Sequence, residues 1–256
     1  MLITIAIVVG LLCGSFTNVL IARIPAGEDW VRDSSRCPRC KREIAWYDNV
    51  PVLSWLWLRR RCRSCREPIS ARYPVVELTV ALLFGLSAWA YGASVLTVLL
   101  CVWAVTTVAL AAIDFEHTRL PDALVLPSAG AAVVLLTVDA AVSDEWTALG
   151  RGALGALILG GVYFALWFVY PGGMGFGDVK LAIPLGLVLG YLGWGVLAVG
   201  AILGPLLGTG AAVLAMVSAR AVRGVRMPYG PWMIAGFWVA ALWGEPLGQS
   251  YVDIVT

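Results

Sequence analysis

The sequence has little charge and almost no histidine. Only 13% of its 256 residues are Asp, Glu, Lys or Arg, whereas soluble domains contain about 25%. His117 is the single histidine, which excludes metal sites built from several histidines. The first apolar run has no basic segment before it, so we expect no cleavable signal peptide.

Apolar residues make up 60% of the chain, and the mean hydropathy is +0.85. A helix needs about 20 apolar residues to cross a bilayer, and the sequence contains eight apolar runs, several of which are shorter than that. The sequence therefore predicts an all-α polytopic membrane protein with about eight transmembrane helices. We divide it into a first helix (1–22), a polar insertion (23–73) and a seven-helix core (74–256). The runs are 2–22, 74–91, 95–113, 123–141, 149–170, 181–192, 194–219 and 232–247.

The basic residues predict the orientation of this topology. Placing the insertion on the cytoplasmic side also places every other Lys and Arg there, except Arg151. Positively charged loops stay in the cytoplasm, so this arrangement is the favoured one, with both termini outside. Two runs separate Asp114 from Asp178, and both aspartates therefore lie at the cytoplasmic face.

The insertion contains two Cys-x-x-Cys pairs. Two such pairs supply four thiolates to one tetrahedral ion, and the spacing is typical of a structural zinc site. A reducing cytoplasm argues against structural disulfides. A redox dithiol and metal-free thiols are the alternatives. The predicted ligands are Cys37, Cys40, Cys62 and Cys65.

Aromatic and basic residues lie between and beside the cysteine pairs. They include Trp46, Trp55, Trp57 and the run Arg59, Arg60 and Arg61. Beside a bilayer, such a stretch is typical of an interfacial anchor attracted to anionic lipid. Because these charges stay close to the membrane, we expect no nucleic-acid partner.

Two aspartates lie at the edges of apolar runs: Asp114 closes run 95–113, and Asp178 follows Gly175 and Gly177. A charge near hydrocarbon costs roughly 3 kcal/mol or more, so each of these aspartates is a candidate functional residue. If the two helix ends meet, the carboxylates share a proton. One then acts as the base on a water molecule while the other polarises a peptide carbonyl. The glycines allow a substrate backbone to approach closely.

Simpler interpretations exist for these acidic residues. Asp114 could pair with Arg119, and Asp178 with Lys180, as ordinary helix-end charges. Asp122 follows Pro121, where an N-cap is expected. A different class of function is a proton- or cation-coupled carrier that uses the same aspartates. Carriers usually show internal repeats and mid-span carboxylates, and neither is evident in this sequence.

Taken together, the motifs resemble those of the type IV prepilin peptidases over nearly the full chain. A short glycine motif alone is weak, but its combination with a second Asp segment and paired Cys motifs is specific. Residues 228–231 also resemble the last cytoplasmic turn of the family. The other matching segments are 14–18, 37–77, 113–122 and 175–180.

The resemblance implies two activities at the cytoplasmic side of a bacterial inner membrane. One is cleavage of the basic leader of a type IV prepilin or pseudopilin by Asp114 and Asp178, in pilus assembly or protein secretion. The other is methylation of the new amino terminus with S-adenosylmethionine. Gly175, Gly177, Lys180 and Asp122 are assigned to a substrate loop. The sequence has no glycine-rich strand–turn–helix for the methyl donor.

Overall fold

The computed structural model describes residues 1–31, 35–170, 172, 174–217 and 228–255. Its eight long helices coincide with the eight predicted apolar runs and confirm the all-α fold. Arg220, Arg223 and Arg226, which contributed to the predicted orientation, lie outside the described residues. The elements are α1 (Leu2–Arg23), a 3-10 turn (Trp46–Asp48), α2 (Leu53–Trp57), α3 (Arg72–Tyr91), α4 (Val95–His117), α5 (Asp122–Ser143), α6 (Trp146–Val169), α7 (Phe176–Leu192), α8 (Trp194–Val217) and α9 (Gly230–Val255).

Among the described residues, six helices have the length and apolar character of membrane spans. They are α1, α3, α4, α5, α6 and α8. The chain is therefore a multi-pass membrane protein. Helix α7 has 17 residues and is shorter than a typical span, so the predicted number of eight is approximate.

The chain divides into two compact units, Met1–Ala109 and Leu110–Thr256. In the first unit α1 packs along α3, and small residues of α1 allow the two backbones to approach closely. A Cβ atom on Gly14 would lie 2.6 Å from the Cα atom of Glu77. Asn18 Nδ2 donates a hydrogen bond to the carbonyl of Tyr73 over 3.1 Å. Segment 14–18 is therefore a helix–helix contact.

In the second unit, α6 and α7 approach through glycines on both helices. A Cβ atom on Gly155 would collide with the carbonyl oxygen of Gly186, so the backbones are in direct contact. Arg151, the basic residue that the predicted topology leaves outside, caps the carboxyl end of α7. Its Nε atom donates to the carbonyl of Gly190 over 2.8 Å, and its guanidinium also reaches the carbonyl of Tyr191. A cation at this helix end offsets the partial negative charge of the last carbonyls.

We expect Gly155→Ala to destabilise the protein by about 1–3 kcal/mol, because the added methyl group overpacks the α6–α7 contact. The measurement is thermal unfolding of the full chain in detergent or nanodiscs. Gly161→Ala is the matched control on the same helix, since its Cβ atom would have no neighbour within 4 Å. Equal stability of the two variants would contradict the close backbone contact.

Candidate active site and metal centre

Asp114 lies one turn before the end of α4 and is only 5% exposed. The helix ends because Thr118 adopts a left-handed conformation (φ 50°), and its N–H bonds to the Asp114 carbonyl over 2.8 Å. The Asp114 carboxylate accepts a hydrogen bond from the N–H of Gly230 over 3.0 Å. Gly230 begins α9, where backbone N–H groups have no partner within the helix. The positive end of α9 therefore faces this buried carboxylate.

The approach of Gly230 to Asp114 leaves no room for a side chain. A Cβ atom at position 230 would lie 2.9 Å from Asp114 Oδ2 and 3.1 Å from the Leu120 side chain. A side chain at this position would therefore displace the Asp114 carboxylate or the Leu120 side chain.

Asp178 is the third residue of α7 and is 7% exposed. Its carboxylate accepts a hydrogen bond from the N–H of Gly175, the N-cap residue, over 3.1 Å. The predicted apolar run begins at residue 181, whereas helix α7 begins at Phe176. The reason is local. The Asp178 carboxylate, at the third helical position, accepts a hydrogen bond from the N-cap N–H and so stabilises the first turn of the helix.

The two carboxylates belong to one site within the second unit. The Leu120 side chain bridges their surroundings, since it lies 3.2 Å from the Cβ position of Gly177 and 3.1 Å from that of Gly230. Asp114 is also one of the charges that act on Asp178. The Leu120 side chain therefore borders both segments, and the pairing of the two carboxylates stays a prediction.

The predicted substrate-loop glycines differ in their surroundings. Gly175 is exposed, so backbone access at this position is open. Gly177 faces Leu120 at close range and contributes to internal packing. Their assignment to a substrate loop stays a prediction.

Lys180 binds Asp122 and not Asp178. Its Nζ atom lies 2.9 and 2.8 Å from the two carboxylate oxygens of Asp122, which joins α7 to the start of α5. Asp122 is the first residue of α5, and Pro121 occupies the N-cap position, so the N-cap interpretation of Asp122 is wrong. The Asp114 carboxylate is likewise bonded to Gly230 and not to Arg119. Neither aspartate of the site is therefore neutralised by the basic residue nearest to it in sequence.

Two tyrosines that sequence reasoning did not assign to the site border Asp178. Tyr163 of α6 is buried, and its ring centroid lies 6.1 Å from that of Tyr229. Both phenol groups interact electrostatically with Asp178. Tyr229 lies in the 228–231 turn noted above, whereas Tyr163 lies within an apolar run and gives no signal.

The four cysteines of the insertion form one compact cluster in the first unit. Their sulfur atoms all lie within 4.8 Å of one another, and the Sγ atoms of Cys37 and Cys65 are 3.8 Å apart. A tetrahedral ion with sulfur ligands at about 2.3 Å requires sulfur–sulfur distances of about 3.8 Å. The donor set and its spacing therefore fit a metal ion.

The two halves of the cluster share one backbone conformation. In each half the N–H of the first cysteine donates to the carbonyl of the residue five positions later. The N–H of the residue after the second cysteine donates to the carbonyl of the first cysteine. That residue has a left-handed conformation in both halves. The bonds are Cys37 to Arg42 (3.0 Å), Lys41 to Cys37 (2.9 Å), Cys62 to Glu67 (2.8 Å) and Arg66 to Cys62 (3.0 Å), with φ 57° at Lys41 and 62° at Arg66.

Backbone N–H groups also prepare the cluster for metal binding. Those of Cys65 and Ser64 point to the sulfur of Cys62 and lower its pKa to about 7. Thiolates and not thiols are metal ligands, so these N–H groups favour the binding form of Cys62, whereas desolvation and the neighbouring thiols raise the pKa of Cys65 to about 11. Arg63, between the two cysteines, donates to both carboxylate oxygens of Asp48 over 2.7 and 2.6 Å and lowers the pKa of that carboxyl.

Comparison with known proteins gives a consistent result. Residues 8–91 match the bacterial peptidase A24 N-terminal domain, and residues 98–219 match the type IV leader peptidase family. No solved structure matches the chain.

Three relatives are each named prepilin leader peptidase/N-methyltransferase. The protein of Stutzerimonas stutzeri is 35% identical over 97% of this chain and 93% of its own length. That of Pseudomonas putida is 34% identical over 99% and 94%. That of Myxococcus xanthus is 42% identical over 71% of this chain and 54% of its own length. Similarity of this extent shows that the chain belongs to the type IV leader peptidase family.

Proposed function

We propose that this protein cleaves the basic leader of type IV prepilins or pseudopilins and methylates the new amino terminus. The observation that carries the proposal is the pair of buried carboxylates, Asp114 and Asp178, in one site of a chain that belongs to the leader peptidase family. The enzyme is then a membrane aspartic endopeptidase.

The proposed chemistry requires the two carboxylates to share one proton. The ionised member removes a proton from a water molecule, and the resulting hydroxide attacks the scissile carbonyl carbon. The protonated member donates to the carbonyl oxygen. Collapse of the tetrahedral intermediate breaks the C–N bond, and the leaving nitrogen takes up a proton. Asp114 and Asp178 are the proposed dyad.

The predicted topology suits a prepilin. Its apolar helix stays in the bilayer and its basic leader stays in the cytoplasm, which presents the scissile bond at the inner face of the inner membrane. Gly175 and Gly177, with the Lys180–Asp122 pair that joins α7 to α5, are the proposed substrate loop. The exposed backbone at Gly175 supports this assignment.

We assign zinc to the Cys37, Cys40, Cys62 and Cys65 cluster as a structural ion. A short, charged insertion buries too little apolar surface to fold alone, so metal binding would supply folding free energy. The insertion is treated as segment 23–73, between the first helix (1–22) and the peptidase core (74–256).

S-adenosylmethionine is the methyl donor that the proposed second activity requires. The part of the chain that the structure describes is built from helices and holds no glycine-rich strand–turn–helix. No residue is therefore assigned to the methyl donor. The carrier alternative has no observation in its favour, since both aspartates lie near helix ends and bind backbone N–H groups there.

We expect Asp114→Asn and Asp178→Asn each to reduce leader cleavage at least about 100-fold, because an amide cannot act as a general base or acid. The measurement is a gel shift of a co-expressed prepilin. Asp144→Asn is the matched control, since Asp144 is exposed and has a left-handed φ of 58° that Asn adopts readily. Normal cleavage by both single variants would disprove the dyad.

We expect the purified enzyme to contain one zinc ion per chain and Cys62→Ser to lose it, because three thiolates bind zinc more weakly than four. The measurement is elemental analysis by mass spectrometry. Cys101→Ala, outside the cluster on α4, is the control that keeps the metal. A metal-free wild-type enzyme with full cleavage activity would rule out the zinc assignment.

We expect the mature amino terminus to carry one added methyl group when S-adenosylmethionine is supplied. The measurement is mass spectrometry of pilin matured in vitro by the purified enzyme. Omitting the methyl donor should leave cleavage unchanged, because the proposed dyad acts without it. A fully cleaved but unmethylated product in its presence would restrict the protein to the peptidase activity.

A further inference from the structure

The short helix α2 presents an apolar face to the outside of the first unit. Leu53, Leu56 and Trp57 are 65%, 58% and 82% exposed. Their spacing of three and four residues places them on one side of the helix. We name these three residues the interfacial face. Exposed large apolar groups that cluster in this way mark interaction surfaces.

The other side of α2 is fixed to the insertion, so the interfacial face cannot turn inward. The Ser54 hydroxyl accepts from the N–H of Val50 over 3.0 Å and donates to the carbonyl of Tyr47 over 3.1 Å. The indole N–H of Trp55 donates to the carbonyl of Ile69 over 3.1 Å. The exposure of the face is therefore a consequence of how α2 is held.

A hydrogen bond places the start of α2 beside α3, a helix with the length and apolar character of a membrane span. The N–H of Val52, just before α2, donates to Glu77 Oε2 over 2.7 Å. Glu77 lies five residues after the start of α3 at Arg72, a distance of about 7.5 Å along the helix axis. The start of α2 is thus level with the second turn of α3 and does not lie beyond the end of that helix.

The opposite end of the insertion shows the same return toward the membrane. The ring of Trp30 packs against that of Phe16, with centroids 5.9 Å apart. Phe16 lies seven residues before the end of α1 at Arg23, which is about 10 Å along the axis. Two separate segments of the insertion therefore return to the level of the helix ends. Tryptophan is enriched at this level of membrane proteins.

Positive charge adjoins the interfacial face. Arg59, Arg60 and Arg61 follow α2 closely and are exposed. The guanidinium of Arg60 lies 4.9 Å from the ring centroid of Trp55, which keeps this run beside the helix. Residues 23–72 hold twelve Lys and Arg against six Asp and Glu. An apolar face bordered by arginines is typical of helices that lie in the surface of an anionic bilayer.

We propose that the interfacial face, together with Arg59 and Arg61, binds anionic phospholipid and holds the four-cysteine insertion against the bilayer. The apolar side chains enter the boundary of the acyl chains while the guanidinium groups bind headgroup phosphates. A basic prepilin leader is the weaker candidate for this surface, because the arginines would repel it. The proposal does not depend on the enzymatic activity.

The test is hydroxyl-radical footprinting of the full chain in nanodiscs in which phosphatidylglycerol replaces phosphatidylcholine in steps. We expect oxidation of Leu56 and Trp57 to slow several-fold as the anionic fraction rises. For the double variant Arg59→Gln/Arg61→Gln, protection should require an anionic fraction about tenfold higher or not occur, because each arginine near the surface contributes to binding.

Arg39→Gln/Lys41→Gln removes two exposed charges from the first cysteine pair and is the matched control. Retained metal in every variant verifies that the insertion is folded. Protection equal to wild type in the control and lost in the Arg59/Arg61 variant supports the proposal. Equal protection in pure phosphatidylcholine, an equal loss in the control, or protection only after prepilin is added would each overturn it; the last result would assign the face to substrate.

Discussion

A carboxylate at a membrane edge is stable only where hydrogen-bond donors replace the water it has lost. This chain meets that requirement with helix N-termini. The start of α9 supplies the N–H of Gly230 to Asp114, and the N-cap of α7 supplies the N–H of Gly175 to Asp178. The first bond connects Asp114 to the start of α9, and the second stabilises the first turn of α7.

The two hydrogen bonds also explain which part of the site the sequence could predict. Asp178 and its donor Gly175 are three residues apart, so the contact is local and its motif is visible. Asp114 and Gly230 are 116 residues apart, and only helix packing brings them together. The buried Tyr163 likewise enters the site from an apolar run, where one tyrosine carries no special signal. The sequence therefore predicts both aspartates as candidate site residues, but it does not predict the hydrogen bond between Asp114 and Gly230.

The insertion repeats this division between local and distant contacts. Each Cys pair forms its own turn from adjacent residues, so the metal motif was readable from spacing alone. Other features of the insertion depend on contacts between residues distant in sequence. They are the ion pair between Asp48 and Arg63, the hydrogen bond between Val52 and Glu77, and the position of α2. Val52 has a left-handed φ of 59°, which is unfavourable for a β-branched residue and cannot be inferred from composition. Helix α2 was accordingly not predicted, although its aromatic residues were identified.

The two hydrogen bonds hold the two aspartates in different ways. Helix α7 is fixed at its start by the Asp178–Gly175 bond, at its side by the Lys180–Asp122 pair and at its end by Arg151. A glycine contact with α6 further restricts it, because packed backbones have little room to shift. The Asp114 carboxylate, in contrast, is held by the N–H of Gly230, a donor that α9 does not use internally. The position of Asp178 therefore follows from a bond within its own helix start, whereas that of Asp114 depends on a helix that is distant in the sequence.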